Sequence, residues 1–414
     1  MTIRQTIDTF GISPAEFARR TEALLAAIRQ HNLTGAVLFD STNILYFTGF
    51  AFIPTERPIV FVLSAAGERA LLVPRLEVEH AQAMASLDRV AHYLEYPGKS
   101  HPLQSLRQLL VEMAVLPETA AADTPQDAPR VGADQDGYPW IFGYEGPSLS
   151  QLTGLLVVNV QNLLHRMQAV KSPAEIALIR ESCKWAHLAH RLLQQYTAVG
   201  RTETEVSLRA SHEATLAMMA AIGPLYRAQS MWSSGPAAGY RGQIGRNAAI
   251  PHALANNITF QPGDVLVTGA GCPLWGYNSE LERTMFVGEP SPRQRELFAH
   301  MLAAQETAFA AMRPGASCAS VDTAVRAYYE RHDLLPLWKH HTGHAIGLRY
   351  HEGPFLDTGD ETRLLPGMVF TVEPGLYAPD AGGFRHSDTV VITDDGLELL
   401  TYYPRDWQSL VIPA

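Results

Sequence analysis

D-V-L-V-T-G-A-G-C-P-L-W-G-Y-N-S-E-L-E-R-T-M-F-V-G, from Asp264 to Gly288, is the stretch on which the fold turns. Val265–Val267 and Met285–Val287 are short, β-favouring apolar runs. Turn formers such as Gly269, Gly271, Pro273, Gly276 and Gly288 bound them, which predicts two adjacent antiparallel strands joined by a wide turn. Side chains alternate along a strand, so Glu280 and Glu282 point to one face and Arg283 to the other. Two carboxylates on one face of an otherwise apolar strand need partners that bulk water would not supply, which marks a site.

The chain around this stretch has 414 residues. A single core stops growing at about 250–300 residues. Two domains are therefore expected, 1–165 and 166–414. A hydrophobic content of 46% with 18% charged residues is that of an ordinary globular protein. The net charge of −10, without any run of Lys or Arg, excludes nucleic acid or an anionic membrane as the main partner. Cys183, Cys272 and Cys318 lack metal-type spacing and read as reduced thiols of a cytoplasmic protein. The opening M-T-I-R-Q-T-I-D-T-F-G has no apolar signal core, and no window reaches the roughly 18 apolar residues of a membrane span.

Before the central stretch, Pro14–Gln30 carries Phe17, Leu24, Leu25 and Ile28 at helical spacing after Ser13. Ala36–Phe39 reads as a buried strand, Ile59–Leu63 and Ala70–Val73 as a strand pair, and Leu103–Met113 as a helix. Together they predict a compact α/β domain, followed by a loop over Pro117–Pro129. Ser172 with Glu175 is a capping box, and Pro173 takes the first helical position. Helices then run to Gln195, over Glu203–Met219, Pro292–Met312 and Ser320–His332, among Gly-rich strands. The class is α/β in the wider sense that includes α+β.

G-Y-N-S-E-L-E-R-T resembles the G-Y-x-S-D-x-x-R-T signature of the pita-bread hydrolases, which include methionine aminopeptidases, Xaa-Pro peptidases and creatinase. The L-E-R-T variant is most similar to creatinase. D-S-T-N-I-L-Y-F-T-G-F (Asp40–Phe50) resembles the N-terminal domain of creatinase and prolidase, and R-M-Q-A-V-K-S-P-A-E-I-A-L-I-R the start of the catalytic domain. The resemblance implies an N-terminal creatinase/prolidase-type α/β domain followed by a pita-bread catalytic domain. It also implies a homodimer in which Arg57, within E-R-P, reaches the partner's site to hold a substrate carboxylate. The bland reading of Arg57 is a solvated loop arginine.

The candidate chemistry gathers in four segments. His252 lies twelve residues before Asp264 and thirty before Glu282, the spacing of the proton-transfer histidine in creatinase. H-T-G-H-A-I-G-L-R-Y-H-E-G-P holds His344 and His351, at the positions of a metal-ligand histidine and a second histidine in the peptidases. His340 and His341 add to this cluster. Glu373 follows a buried apolar run. Trp232 and Trp275 are candidate pocket walls, with core packing as the bland alternative.

The peptidases of this superfamily hold two ions with Asp, Asp, His, Glu and Glu. Here the five positions are Gly269, Glu280, His344, Glu373 and Ser387. Glycine offers no ligand and serine a weak one, so the expectation is a site without metal. The alternative is a single divalent ion on Glu280, His344 and Glu373.

The leading expectation is metal-independent, creatinase-like hydrolysis of a C–N bond in a small zwitterionic compound. In it Glu282 and Glu373 hold a cationic centre, His252 is the general acid/base, His344 and His351 orient substrate, and Glu280 assists binding. A branch similar to ectoine hydrolase would use Glu282 as nucleophile. An Xaa-Pro dipeptidase or aminopeptidase with an atypical metal site is the second reading. A lyase on a small zwitterion and a non-catalytic binding module complete the set.

Overall fold

A computed structural model describes residues 10–117, 129–231 and 233–414. They divide into two units, each with its own apolar core. One is Ile12–Met167; the other is Gln168–Ala414, joined by the described residues ahead of Ile12. The residues ahead of Phe10, residues 118–128 within the expected loop, and Trp232 lie outside the described residues.

In the first unit, helix α1 (Pro14–Gln30) starts on Ser13, whose hydroxyl accepts from the Glu16 amide, with Pro14 in the first turn. The strands are β1 (Gly35–Leu38), β2 (Val60–Ser64), β3 (Arg69–Pro74), β4 (Arg89–Tyr93), β5 (Arg130–Ala133) and β6 (Leu156–Asn159). They form one mixed sheet in the order β4-β3-β2-β1-β5-β6, and β2–β3 is the expected antiparallel pair. β1 and β2 are buried throughout, hence their unbroken apolar sequence.

D-S-T-N-I-L-Y-F-T-G-F folds as helix α2 (Ser41–Thr48). Asp40 accepts from the amides of Thr42 and Asn43 at 2.9 and 3.0 Å. Asn43 Nδ2 donates to the buried Asp134 at 3.0 Å, which also accepts from the Phe39 amide at 2.9 Å. Gly49 ends the helix at φ +75°, a left-handed conformation for which glycine has no Cβ penalty. These motif residues therefore act on the fold. Helix α3 (Pro102–Glu112) covers the sheet with Leu103, Leu106, Leu109 and Leu110.

The second unit opens with α4 (Pro173–Tyr196) on the expected Ser172–Glu175 capping box, then α5 (Glu203–Ile222). α6 (Pro292–Ala311) and α7 (Cys318–Arg331) follow later. Its strands are β7 (Ala237–Gly239), β8 (Val265–Val267), β9 (Gly269–Gly271), β10 (Leu281–Glu282), β11 (Thr284–Val287), β12 (Gly343–Ala345), β13 (Glu352–Leu356), β14 (Val369–Val372), β15 (Gly375–Ala378), β16 (Gly382–Arg385), β17 (Ser387–Ile392), β18 (Leu397–Leu399) and β19 (Val411–Ile412). The main sheet runs β13-β12-β14-β17-β10-β9-β7, with β18 on β17. β11 pairs antiparallel with β8, Thr284 opposite Val267, as the sequence predicts.

One feature differs from that expectation. Glu282 and Thr284 belong to different sheets, because the strand splits at Arg283. Arg283 N donates to Thr268 Oγ1 at 2.9 Å and Arg283 O accepts from Thr268 N at 3.0 Å, which anchors the crossover. The guanidinium is fully buried. It meets Asp388 Oδ1 at 2.8 Å and the carbonyls of Glu282, Ser387, Tyr403 and Pro404. The three cysteines are buried free thiols. Among the described residues no helix is long and apolar enough to cross a membrane.

Candidate active site

Register brings the acidic residues together. Glu282 on β10 lies opposite Ser387 on β17, and Leu281 opposite Asp388. Thr389 Oγ1 clamps the Glu280 backbone, accepting from its N at 2.9 Å and donating to its O at 2.8 Å. Glu280 and Glu282 thus face a cleft of about 460 Å³, shared with Ala237, Gly239, Arg241, Gly269, Tyr350 and His351. Carboxylate oxygens of Glu280, Glu282 and Glu373 lie within 4.8 Å of one another, and a second group within the same span joins Glu280, His344 and His351. The His351 ring stacks on that of His344 with centroids 3.9 Å apart.

The charges are unevenly compensated. Both oxygens of Glu282 are taken: Arg385 holds them through Nε and Nη2, and Arg241 Nη2 adds a further bond. Glu373 has Arg385 Nε at 3.7 Å and His344 Nε2 at 3.2 Å. Burial alone would raise its pKa, but the neighbouring His344 and Arg385 outweigh burial and hold it below the usual range. Among the described residues the Glu280 carboxylate has only the Ser387 hydroxyl, at 2.7 Å. Burial first, then the charges of Glu373 and Glu282, push its carboxyl up to about 7. Burial opposes protonation of His344, yet the carboxylates around it raise its pKa to about 9. Burial, and then His344, push His351 down to about 4, so its imidazole is neutral near pH 7.

Of the residues expected at the site, Glu280, Glu282, Glu373, His344 and His351 converge. His252 is exposed at the rim and does not line the cleft, although its charge is felt at His351. Glu282, expected as a free cation holder or nucleophile, is held by two guanidiniums, Arg385 on both oxygens and Arg241 on one. Arg57 bonds Glu95 Oε1 at 2.6 Å and also Glu56. His340 packs behind the site, with Nε2 2.7 Å from the Tyr377 hydroxyl that also accepts from Arg385. His341 lies 3.9 Å from Asp357. Trp275 donates to the Leu225 carbonyl and is not a cleft wall. Sequence reasoning missed Arg385 and Arg241. Arg385 stands two residues before Ser387, so strand alternation could have placed it on the same face; Arg241 lies in a loop with no such signal.

A divalent ion fits this donor set. His344 Nδ1 faces the Ala345 carbonyl at 3.0 Å and must carry a hydrogen, so Nε2 is the atom aimed at the carboxylates. Nε2 is buried and, though close to Glu373, lacks an aligned hydrogen-bond partner among the described residues. The repulsion that raises Glu280 is what a cation between Glu280, His344 and Glu373 would relieve. Among the described residues a second ion is less well served, because Glu282 of the other donor group is already paired with Arg385 and Arg241. Ser387 spends its hydroxyl on Glu280, and a Cβ at Gly269 would lie 3.4 Å from Glu282 Oε1 and 3.5 Å from Arg241 Cζ.

Comparison with known proteins agrees. Residues 177–394 match the family described as "Metallopeptidase family M24", and residues 20–170 match "Creatinase/Prolidase N-terminal domain". The Xaa-Pro dipeptidase of Pyrococcus furiosus is 32% identical over 94% of this chain and 99% of its own. The probable dipeptidase PepE of Mycobacterium tuberculosis is 28% identical over 96% and 97%. The crystal structure of dipeptidase PepE from Mycobacterium ulcerans, 26% identical, superposes with a TM-score of 0.79 over 97% of this chain and 100% of that one. The expectation of a site without metal is therefore overturned. The metallopeptidase match and the buried Glu/His cluster contradict it, because counting ligand types along the sequence missed how closely the remaining ones converge. The matches also favour the peptidase reading over the creatinase-like one.

Proposed function

Because the chain belongs to metallopeptidase family M24, and so is a hydrolase of peptide-type C–N bonds, we propose that it is an Xaa-Pro-type dipeptidase working with one divalent ion. The observation that carries this reading is the meeting of two donor groups at Glu280, one with His344 and His351 and one with Glu282 and Glu373, where His344 Nε2 lies 3.2 Å from Glu373 Oε1 and has no aligned partner among the described residues. Glu280, His344 and Glu373 would hold the ion, which when bound supplies Lewis-acid activation of the scissile carbonyl and of water. Glu373 stays ionised and fixes the His344 side of the cluster. Neutral His351, stacked on His344 at the cleft wall, is placed to hydrogen-bond the substrate's carbonyl or its leaving nitrogen. Ser387 orients Glu280, and Arg385 fixes the position of Glu282. Family membership leaves the non-catalytic reading without support.

Elemental analysis of the purified chain, paired with cleavage of an Xaa-Pro dipeptide, tests the proposal. The expected result is one ion per chain, loss of cleavage after exhaustive chelation, and recovery when a divalent ion is returned. Full activity in chelated protein would sink the metal-assisted reading; two tightly held ions per chain would sink the single-ion site.

A further inference from the structure

Arg241 has a place in the cleft that the reading above leaves unused. Its backbone has φ +53°, a left-handed conformation that an arginine adopts only where the surroundings enforce it. The enforcing group is the buried Glu203 of α5. One oxygen accepts from the Gly242 amide at 2.8 Å, the other from the amides of Asn256 at 2.8 Å and Ile258 at 3.2 Å. The loop thus carries its arginine to a defined point of the cleft wall. There Nη2 bonds Glu282 and reaches Gln243 Oε1 at 3.4 Å, while Nε and Nη1 have no partner among the described residues. The side chain remains 51% exposed.

Two further features give this guanidinium a purpose. Arg385 and Arg241 share the single carboxylate of Glu282, and Arg385 also lies 3.7 Å from Glu373, so Arg241 has no carboxylate to itself. Gly269 lies directly beneath, where an added Cβ would sit 3.5 Å from Arg241 Cζ. A Cβ alone would sit there at ordinary contact distance, whereas a longer side chain on residue 269 would compete with the guanidinium for this volume. We infer that Arg241 binds the free carboxylate of the substrate through the Nε and Nη1 donors that its forked guanidinium leaves unused, and so selects short peptides ending just beyond the scissile bond. This rests on the dipeptidase reading, and it assigns Arg241 as a substrate-binding residue.

The experiment compares an Xaa-Pro dipeptide with its C-terminal amide on the metal-loaded enzyme, and separately titrates proline and prolinamide by calorimetry. Wild-type protein should favour the free acid in both. In Arg241→Gln the acid-to-amide ratio of kcat/KM should fall roughly ten- to hundred-fold, the scale of a lost charge-assisted pair, with KM carrying most of the change. Should the glutamine variant fail to fold, Arg241→Lys keeps the charge but loses the fork, and its ratio should drop part of the way. An unchanged ratio in the folded glutamine variant, or in the lysine variant where glutamine does not fold, overturns the inference. So does wild-type protein that binds prolinamide as tightly as proline. If wild-type protein cleaves no dipeptide yet prefers proline through Arg241, the dipeptidase reading fails and the carboxylate site stands.

Discussion

Glu282 and Arg283 are neighbours that the strand turns in opposite directions, and each is neutralised differently. Glu282 faces the cleft and is held by two arginines from loop and strand, 41 residues upstream and 103 downstream. Arg283 faces inward to Asp388 and four carbonyls. Burying a charge costs several kcal/mol unless its partners are complete, and removing one partner strands the other. Replacing Arg283 by Met should therefore cost about 3–5 kcal/mol, read as a lower urea midpoint. A change under about 1 kcal/mol, the scale of a surface pair, would show that Asp388 is rescued by another donor. The Arg-Thr of the signature thus supports the sheet crossover, and the glutamates before it form the site.

Strands β9, β10 and β17 set what the site can hold. Two positions on them, Gly269 and Ser387, face the acidic cluster without a carboxylate, while Arg241 occupies the space above Gly269. Restoring carboxylates alone should not build a second ion site, because an aspartate side chain introduced at position 269 would meet a guanidinium before it met a cation. The double variant Gly269→Asp with Ser387→Glu should keep one ion per chain, and adding Arg241→Gln should raise the count to two by elemental analysis. Two ions in the double variant would show that Arg241 yields readily and does not control the position. The same strands explain the order of the carboxyl groups. Glu373 has cationic neighbours and ionises early, whereas Glu280 has a hydroxyl and holds its proton to about 7.

At the scale of the whole molecule, the chain carries a creatinase/prolidase-type N-terminal domain and a pita-bread catalytic domain. The resemblance raised in the sequence suggests a homodimer with Arg57 of one subunit serving the other's site, and this stays a proposal. Arg57 pairs with Glu56 and Glu95, but those side chains are 28%, 29% and 49% exposed, and such pairs contribute little. In that proposal the guanidinium would exchange them for a second contact to the substrate carboxylate that Arg241 holds. Sedimentation should give twice the 45.5 kDa chain mass, and Arg57→Ala should raise KM several-fold while Tm holds. A monomeric enzyme, or a KM indifferent to the change, would end the idea.

Much of this was legible in one dimension. Alternation along a strand put Glu280 and Glu282 on one face. Cap chemistry at Ser13 and Ser172 started α1 and α4, the apolar run before it brought out Glu373, and the resemblance to the peptidase motif brought out His344 and His351. These are local rules, and a residue's neighbours in sequence are enough to apply them. What local rules cannot carry is the balance of charge, because it depends on atoms supplied from distant segments. Only the folded sheet decided that Arg385 and Arg241 hold Glu282, that Glu280 is left among like charges, and that His344 Nε2 faces the acids without an aligned partner among the described residues. The sequence, read as a list of ligand types, pointed away from metal; three dimensions brought the remaining donors within a few ångströms, where their mutual repulsion calls for a cation.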